Sequence, residues 1–155
     1  MQIRPLIEPD IPAVARLFDA MAMEYIVGES PLDAASKFVR ENDEHAVRAF
    51  LAAGMRYHVA ERDGKIVGFV ALREQKHLYH LFVDKQYHRQ GIATALWAVA
   101  RQEAVAAGNP GLFTVNASNY ALPVYQKMGF VRTEPMQFKS GLYYHPMQLD
   151  GRHCD

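Results

Sequence analysis

Residues 77 to 94 read His77-Leu-Tyr-His-Leu-Phe-Val83, then Asp84-Lys-Gln-Tyr-His-Arg-Gln90, then Gly91-Ile-Ala-Thr94. The first seven form an apolar run of strand length, the next seven a polar connection, and Ile92, Leu96, Val99 and Glu103 recur at helical spacing up to Gly108. A strand that turns directly into a helix start leaves backbone N–H groups and the positive end of the helix dipole facing outward. Gly91 and Ala93 leave room for a phosphate to approach the main chain there. A lone glycine before a helix also serves simply to pack helix on strand, so the surrounding pattern has to decide between the two uses.

Working outward, Ile3 to Ile7 predicts a short strand, and Asp10 is placed to cap a helix with Pro12 in its first turn. Val14, Leu17, Phe18, Met21 and Tyr25 carry that helix. Gly28 to Pro31 breaks it, and a second helical stretch falls between Asp33 and Ala53, stopped by Gly54, with a charged, solvated middle from Arg40 to Glu44. Tyr57, Val59 and Glu61 alternate with His58 and Ala60, Asp63-Gly64 supplies a hairpin turn, and Ile66 to Leu72 returns. After the central segment come a strand at Leu112 to Val115, a helix capped by Ser118 and running through Met128 to Gly129, an extended Phe130 to Arg132, and a last strand from Leu142 to Leu149. The order β-α-α-β-β-β-α-β-α-β-β implies an α/β (α+β) domain over residues 1–150, a mixed sheet with helices packed on it, and a loose tail from Gly151 to Asp155.

At 155 residues the chain fits one domain that buries roughly 70% of its unfolded surface, enough to stand without disulfides or structural metal. Seventeen Lys and Arg balance seventeen Asp and Glu, so no broad attraction to nucleic acid or an anionic membrane is written into the composition. The single cysteine, Cys154, excludes an internal disulfide framework, and no apolar run approaches the about 18 residues of a spanning helix. The expectation is a cytoplasmic protein with no nucleic-acid or membrane partner. Neither Gly-x-x-x-x-Gly-Lys-Ser/Thr nor an early Gly-x-Gly-x-x-Gly occurs, which argues against nucleotide hydrolysis and hydride transfer.

The run from His77 to Val83, followed seven residues later by Gly91-Ile92-Ala93, resembles the acyl-CoA-binding segment of the GNAT superfamily of N-acetyltransferases, whose form is Arg/Gln-x-x-Gly-x-Gly/Ala. His88 stands where that form has Arg or Gln. A second block, Thr114-Val-Asn-Ala-Ser-Asn-Tyr-Ala-Leu-Pro-Val-Tyr125-Gln-Lys-Met-Gly129-Phe130, resembles the family's strand, helix and closing Gly-Phe, with Ser118 where many members carry Asn. The likeness covers nearly the whole chain. It implies a mostly antiparallel mixed sheet of six to seven strands with a splayed central parallel pair, about four helices, and acetyl-CoA as acyl donor to an amine acceptor, with no metal; a small amine or amino acid is the preferred acceptor, a protein or peptide amine and a non-catalytic acyl-CoA-binding regulatory module being the alternatives.

By the same resemblance, Phe82 and Val83 hold the pantetheine arm, and the Leu81 N–H faces the thioester oxygen. Arg89, Gln90, Gly91, Ile92, Ala93 and Thr94 wrap the diphosphate, His88, Asn116 and Ser118 complete the cofactor contacts, and Tyr125 is the general acid. Many proteins of this kind pair as homodimers, and no surface stripe in the sequence decides that point. The amine must lose a proton, and His77 and His80 are the candidate bases. His77 lies about 13 Å from Leu81 by strand geometry and would act through water. In a regular strand Tyr79 shares the face of Leu81, and His80 points to the opposite face unless a bulge intervenes.

Other features carry less. His77 and His80 fall on opposite faces of a regular strand with no Cys or carboxylate beside them to complete a metal site. Ser118 lacks a Gly-x-Ser-x-Gly context and reads as a cap. Glu24, Glu29, Glu41, Asp43 and Glu44 read as a solvated face, with a cationic acceptor as the alternative. Met21, Met23, Phe138, Tyr143 and Tyr144 read as core or as walls of an acceptor pocket.

Overall fold

The structure is a computed structural model that describes residues 1–25, 44–139 and 142–151, and of residues 21–25 the backbone alone. The expected break at Gly28 to Pro31, the helical stretch before Glu44 and the tail beyond Gly151 lie outside the described residues. So do Glu29, Glu41 and Asp43, and the side chains of Met21, Met23 and Glu24.

Eight strands and four helices are described: β1 (Gln2–Pro5), α1 (Ile11–Tyr25), α2 (Glu44–Ala52), β2 (Arg56–Arg62), β3 (Lys65–Arg73), β4 (His77–Val83), α3 (Ile92–Ala106), β5 (Leu112–Ala117), α4 (Leu122–Lys127), β6 (Val131–Arg132), β7 (Gln137–Lys139) and β8 (Leu142–Asp150). The sheet order is β1-β2-β3-β4-β5-β8-β6, with β7 pairing to β8. Every pairing is antiparallel except β4 with β5. The hairpin at Asp63-Gly64 forms as the sequence predicts, both residues adopting the left-handed conformation such a two-residue turn requires. β7 exceeds the six to seven strands expected. It is three residues long and exposed or half-exposed, so it carries no burial pattern of its own, and its pairing with β8 is what makes it a strand.

The sheet is covered on both faces. Ile11, Val14, Leu17 and Phe18 of α1 and Val47 of α2 pack against Tyr57, Val59, Phe69 and Ala71. On the other face Ile92, Leu96, Trp97, Ala100 and Ala104 of α3 cover Val70, Leu78, Val83, Phe113 and Val115. Every helical residue in these sets falls at the spacing that gives a helix one apolar stripe. Glu44 is exposed and reaches Arg48 one turn on, in keeping with a solvated face.

Asp10 does not act as the expected cap of α1. A short 3-10 turn, Glu8–Asp10, runs straight into the helix, and the carboxylate turns back to accept from the Ile7 N–H at 2.9 Å. It also accepts from two guanidinium nitrogens of Arg4, at 2.6 and 3.1 Å. Arg4 in turn donates to Glu61 on β2 at 2.7 Å, so one arginine ties the start of α1 to the edge of the sheet. The hydrogen bond from Arg4 holds the buried Asp10 below the ordinary carboxylate value against the opposing effect of burial. A lowered folded pKa means that the pair stabilises fully above the unfolded value of about 3.8 and fades as pH falls through the folded one. Arg4→Met should therefore destabilise by roughly 2–3 kcal/mol at pH 7. Denaturant melts should show that penalty shrinking as pH falls below 3.8 and on through the lower folded value, where Asp10 becomes protonated in the fold.

Candidate active site

At the end of β4, Asp84 accepts from the Gln86 N–H at 3.0 Å and starts a 3-10 turn at Lys85–Tyr87. Arg89 and Gly91 then adopt positive φ angles of 65° and 76°, and Gly91 caps α3. Alternating left-handed residues gather successive N–H groups into one concavity, and the N–H groups of Ile92, Ala93 and Thr94 in the first helical turn have no intrahelical acceptor. The concavity is open: a Cβ built on Gly91 would meet no atom within 4 Å. It belongs to a cavity of about 710 Å³ bordered by Leu81, Phe82, Val83, His88, Arg89, Gly91, Ile92, Ala93 and Thr94. The His88 Nε2 lies 2.7 Å from the Val83 carbonyl, which can only accept, so this nitrogen carries the proton and staples the turn to the strand end. Gln90 does not border this cavity, and its amide oxygen takes a hydrogen bond from Arg62.

β4 and β5 pair at two positions, His77 with Thr114 and Leu78 with Val115, and then part. Where they part, β4 carries a bulge: Leu72 faces Leu78 and Ala71 faces His80, which leaves Tyr79 as the extra residue. The bulge corrects the face expected of Tyr79. Tyr79 and His80 both pack on the α1 face, and Leu81 joins the α3 face. The Asp84 N–H bonds to the Val67 carbonyl at 2.8 Å, which fixes the alternation of the ladder with β3. Counting back from it, Leu81 and Val83 turn their N–H and C=O groups away from β3 into the gap beside β5. A second cavity, of about 320 Å³, fills that gap and is bordered by His77, Tyr79, His80, Leu81, Asn116, Ser118 and Tyr125. Because no sheet separates the two faces there, His80 and Leu81 border the same space. Leu81, Phe82, Ser118, Ala121 and Tyr125 border both cavities and mark where they meet.

Tyr125 is buried on α4 and rests edge-on against Phe130, 5.7 Å between centroids. Burial pushes its phenol above the ordinary value of 10, so it is protonated at neutral pH and able to donate. His77 Nδ1 pairs with the Thr114 hydroxyl at 2.8 Å. Burial first, and then the charges of Arg73 and Lys76, hold His77 below 6.5. His80 is 5% exposed, neither ring nitrogen has a hydrogen-bond partner among the described residues, and burial with the charge of Arg73 lowers it to about 3. Ser118 caps the turn ahead of α4, its Oγ accepting from the Ala121 N–H at 3.1 Å, and the helix itself begins only at Leu122. Asn116 borders the smaller cavity rather than the one at the turn.

The sequence profile of the acetyltransferase (GNAT) domain matches residues 26–150. The chain belongs to the GNAT acetyltransferase family. N-acetyltransferase 8 of Homo sapiens is 39% identical over 93 residues, 52% of this chain and 40% of that protein. Probable N-acetyltransferase family 8 member 5 of Mus musculus is 30% identical over 127 residues, 75% of this chain and 56% of that protein. The chain thus spans about half the length of the curated relatives it matches. Among solved structures, a GCN5-related N-acetyltransferase from Rhodopseudomonas palustris shares the fold with a TM-score of 0.82 and 24% identity, covering 96% of this chain and 94% of that one. PaiA N-acetyltransferase of Thermoplasma acidophilum, solved with coenzyme A, also gives a TM-score of 0.82, at 15% identity and 96% and 98% coverage.

Within this GNAT domain the larger cavity has a border that the sequence reading did not single out: Lys85, Tyr120, Val124 and Lys127. Tyr120, Val124 and Lys127 recur at helical spacing beside Tyr125, and that spacing was the available signal. Lys139, Tyr143 and Tyr144 from β7 and β8 wall the smaller cavity, whereas Phe138 stays 55% exposed, its ring tilted against that of Tyr143 at 4.5 Å between centroids. Ring-proton NMR titration should place the His77 midpoint below 6.5, and Arg73→Met should move it upward.

Proposed function

We propose that this GNAT domain transfers an acetyl group from acetyl-CoA to a primary amine, with a small amine or amino acid as the acceptor, by direct attack in a ternary complex. The observation that carries the reading is the meeting of the two cavities at Leu81 and Tyr125. One leads to an anion-accepting turn, the other to a pocket of acceptor size. The turn suits the donor: an open left-handed Gly91, free N–H groups at a helix start, and Lys85, Arg89 and Lys127 on the border match a diphosphate. The gap suits the pantetheine arm, whose amides would pair with the Leu81 and Val83 main chain as an added strand does.

With the diphosphate held at the turn, the thioester lies where the cavities join. Attack by nitrogen moves charge onto the carbonyl oxygen, and a fixed Leu81 N–H in the gap stabilises that charge more than it does the ground state. The C–S bond then breaks and sulfur leaves as thiolate. Tyr125, kept protonated by burial, donates to it. Ser118 and the turn it caps hold α4, and with it the phenol, against the gap.

Tyr125→Phe should lower kcat by roughly 100-fold and leave acetyl-CoA affinity within about twofold. Thiol release and calorimetry read the two separately, and equal turnover would remove the phenol from the reaction. Gly91→Glu forces a side chain into a left-handed position and sets a negative charge in the concavity, so acetyl-CoA affinity should fall by roughly 100-fold or more. Unchanged affinity in calorimetry would refute the diphosphate site.

A further inference from the structure

Tyr125 is carried by a helix of six residues, and a helix that short does not hold its own place in water. Its position is set by what grips its two ends. At the far end the Phe130 N–H bonds to the Tyr125 carbonyl at 3.0 Å, and Phe130 is buried in the core. At the near end the turn over residues 118–121 and the helix form one hydrogen-bonded unit. The Ser118 carbonyl accepts from the Leu122 N–H at 3.0 Å, and the Ala121 carbonyl accepts from the Tyr125 N–H at 3.1 Å. Whatever fixes this turn therefore fixes the phenol. Ser118, Tyr120 and Ala121 border one or both of the two cavities, and Asn119 borders neither.

Asn119 reaches to β8 instead. The residue lies at the surface, yet its Oδ1 sits 2.5 Å from Nε2 of His145, which is 5% exposed. A carboxamide oxygen can only accept, so Nε2 carries the proton and donates. His145 is rooted in the sheet: it pairs with Ala117, the last residue of β5, and its strand has β5 on one side and β6 and β7 on the other. It shares a face with Met147 and Leu149, which pack in the same core as Tyr125 and Phe130. The ladder between β5 and β8 ends at this pair, and two residues further on the side-chain bond takes over the connection. The other ring nitrogen, Nδ1, is buried without a hydrogen-bond partner among the described residues. An unpaired buried nitrogen offsets part of what the bond contributes to stability, so a leucine at this position loses little stability and the whole of the tether.

We propose that Asn119 and His145 are a positioning pair for the transfer step. Neither borders a cavity, and the hydrogen bond between them holds the turn, and through it the Tyr125 phenol, at the distance from sulfur that proton donation needs. The inference rests on the acetyl-transfer reading and on Tyr125 as its acid. A displacement of about 1 Å at a reacting group lowers a rate by roughly 100-fold, so a small relaxation of the turn is enough to slow the reaction. The anion-accepting turn at Gly91 belongs to a different segment, between β4 and α3, so binding of the donor depends little on the pair.

The test measures thiol release from acetyl-CoA with the best acceptor from a panel of primary amines and amino acids, and acetyl-CoA affinity by calorimetry. Asn119→Leu and His145→Leu should each lower kcat by about tenfold and leave acetyl-CoA affinity within about threefold, and the double variant should be no slower than either single one. Asn119→Asp, which keeps an acceptor oxygen, and His145→Gln, which keeps a donor, should each recover about threefold of that loss. In a Tyr125→Phe background Asn119→Leu should lower kcat by less than about twofold, because no phenol remains to be misplaced. The melting temperature of His145→Leu should stay within about 3 °C of the parent. A loss in the Tyr125→Phe background as large as in the parent would assign the pair a general structural role and overturn the proposal, and so would an unchanged kcat in both leucine variants. A Tyr125→Phe variant as fast as the parent would remove the acid, and this inference with it, while acetyl transfer stands. A parent that binds no acetyl-CoA and releases no thiol with any amine overturns the acetyl-transfer reading itself.

Discussion

A parallel strand pair that stops pairing after two residues governs the candidate site. β4 and β5 are joined at His77–Thr114 and Leu78–Val115, and beyond that point each strand is held only by its outer neighbour, β3 on one side and β8 on the other. Backbone N–H and C=O groups that a continuous sheet would consume are left facing a gap, and an unpaired buried main-chain group is strongly unfavourable unless something fills it. The bulge at Tyr79 decides which groups these are. Without the extra residue, the alternation set by Asp84 and Val67 would continue unbroken, and Tyr79 would share the face of Leu81 instead of lying beside His80.

Around this gap two histidines and a tyrosine are kept uncharged, while Lys139 borders the smaller cavity and a group of cations borders the larger one. His77 and His80 are held neutral, and Tyr125 is held protonated. Lys85, Arg89 and Lys127 gather at the mouth of the larger cavity, beside the free N–H groups of α3. An anionic group is favoured at the turn, and a hydrogen bond made to the buried Tyr125 is stronger than one made in water. The His88 ring links the two regions, since its bond to the Val83 carbonyl fixes the strand end relative to the turn.

Much of the fold was legible because it is written in local periodicity. The Asp63-Gly64 hairpin, the stripe of α3 and the Gly91 turn each depend on residues adjacent in the chain, so spacing and turn chemistry were enough to place them. Asp10 does not cap α1 because its partner Arg4 reaches it from β1, where pairing with β2 also sets Arg4 beside Glu61. β7 was missed because its only reason to be extended is β8. Lys127 could have been found from helical spacing, but that its stripe faces the cavity is a tertiary fact.

What the sequence determined by itself was the order of elements, the mixed sheet, and the glycine turn at the head of α3, since these follow from pattern and backbone preference over a few residues. The tertiary structure alone decided the bulge at Tyr79, the length over which β4 and β5 remain paired, the burial of His80, and the meeting of two cavities at Leu81 and Tyr125. Register, burial and enclosure are properties of segments brought together from distant parts of the chain. A side chain's neighbours across a sheet set its protonation and its hydrogen bonds, and no local pattern specifies who those neighbours will be.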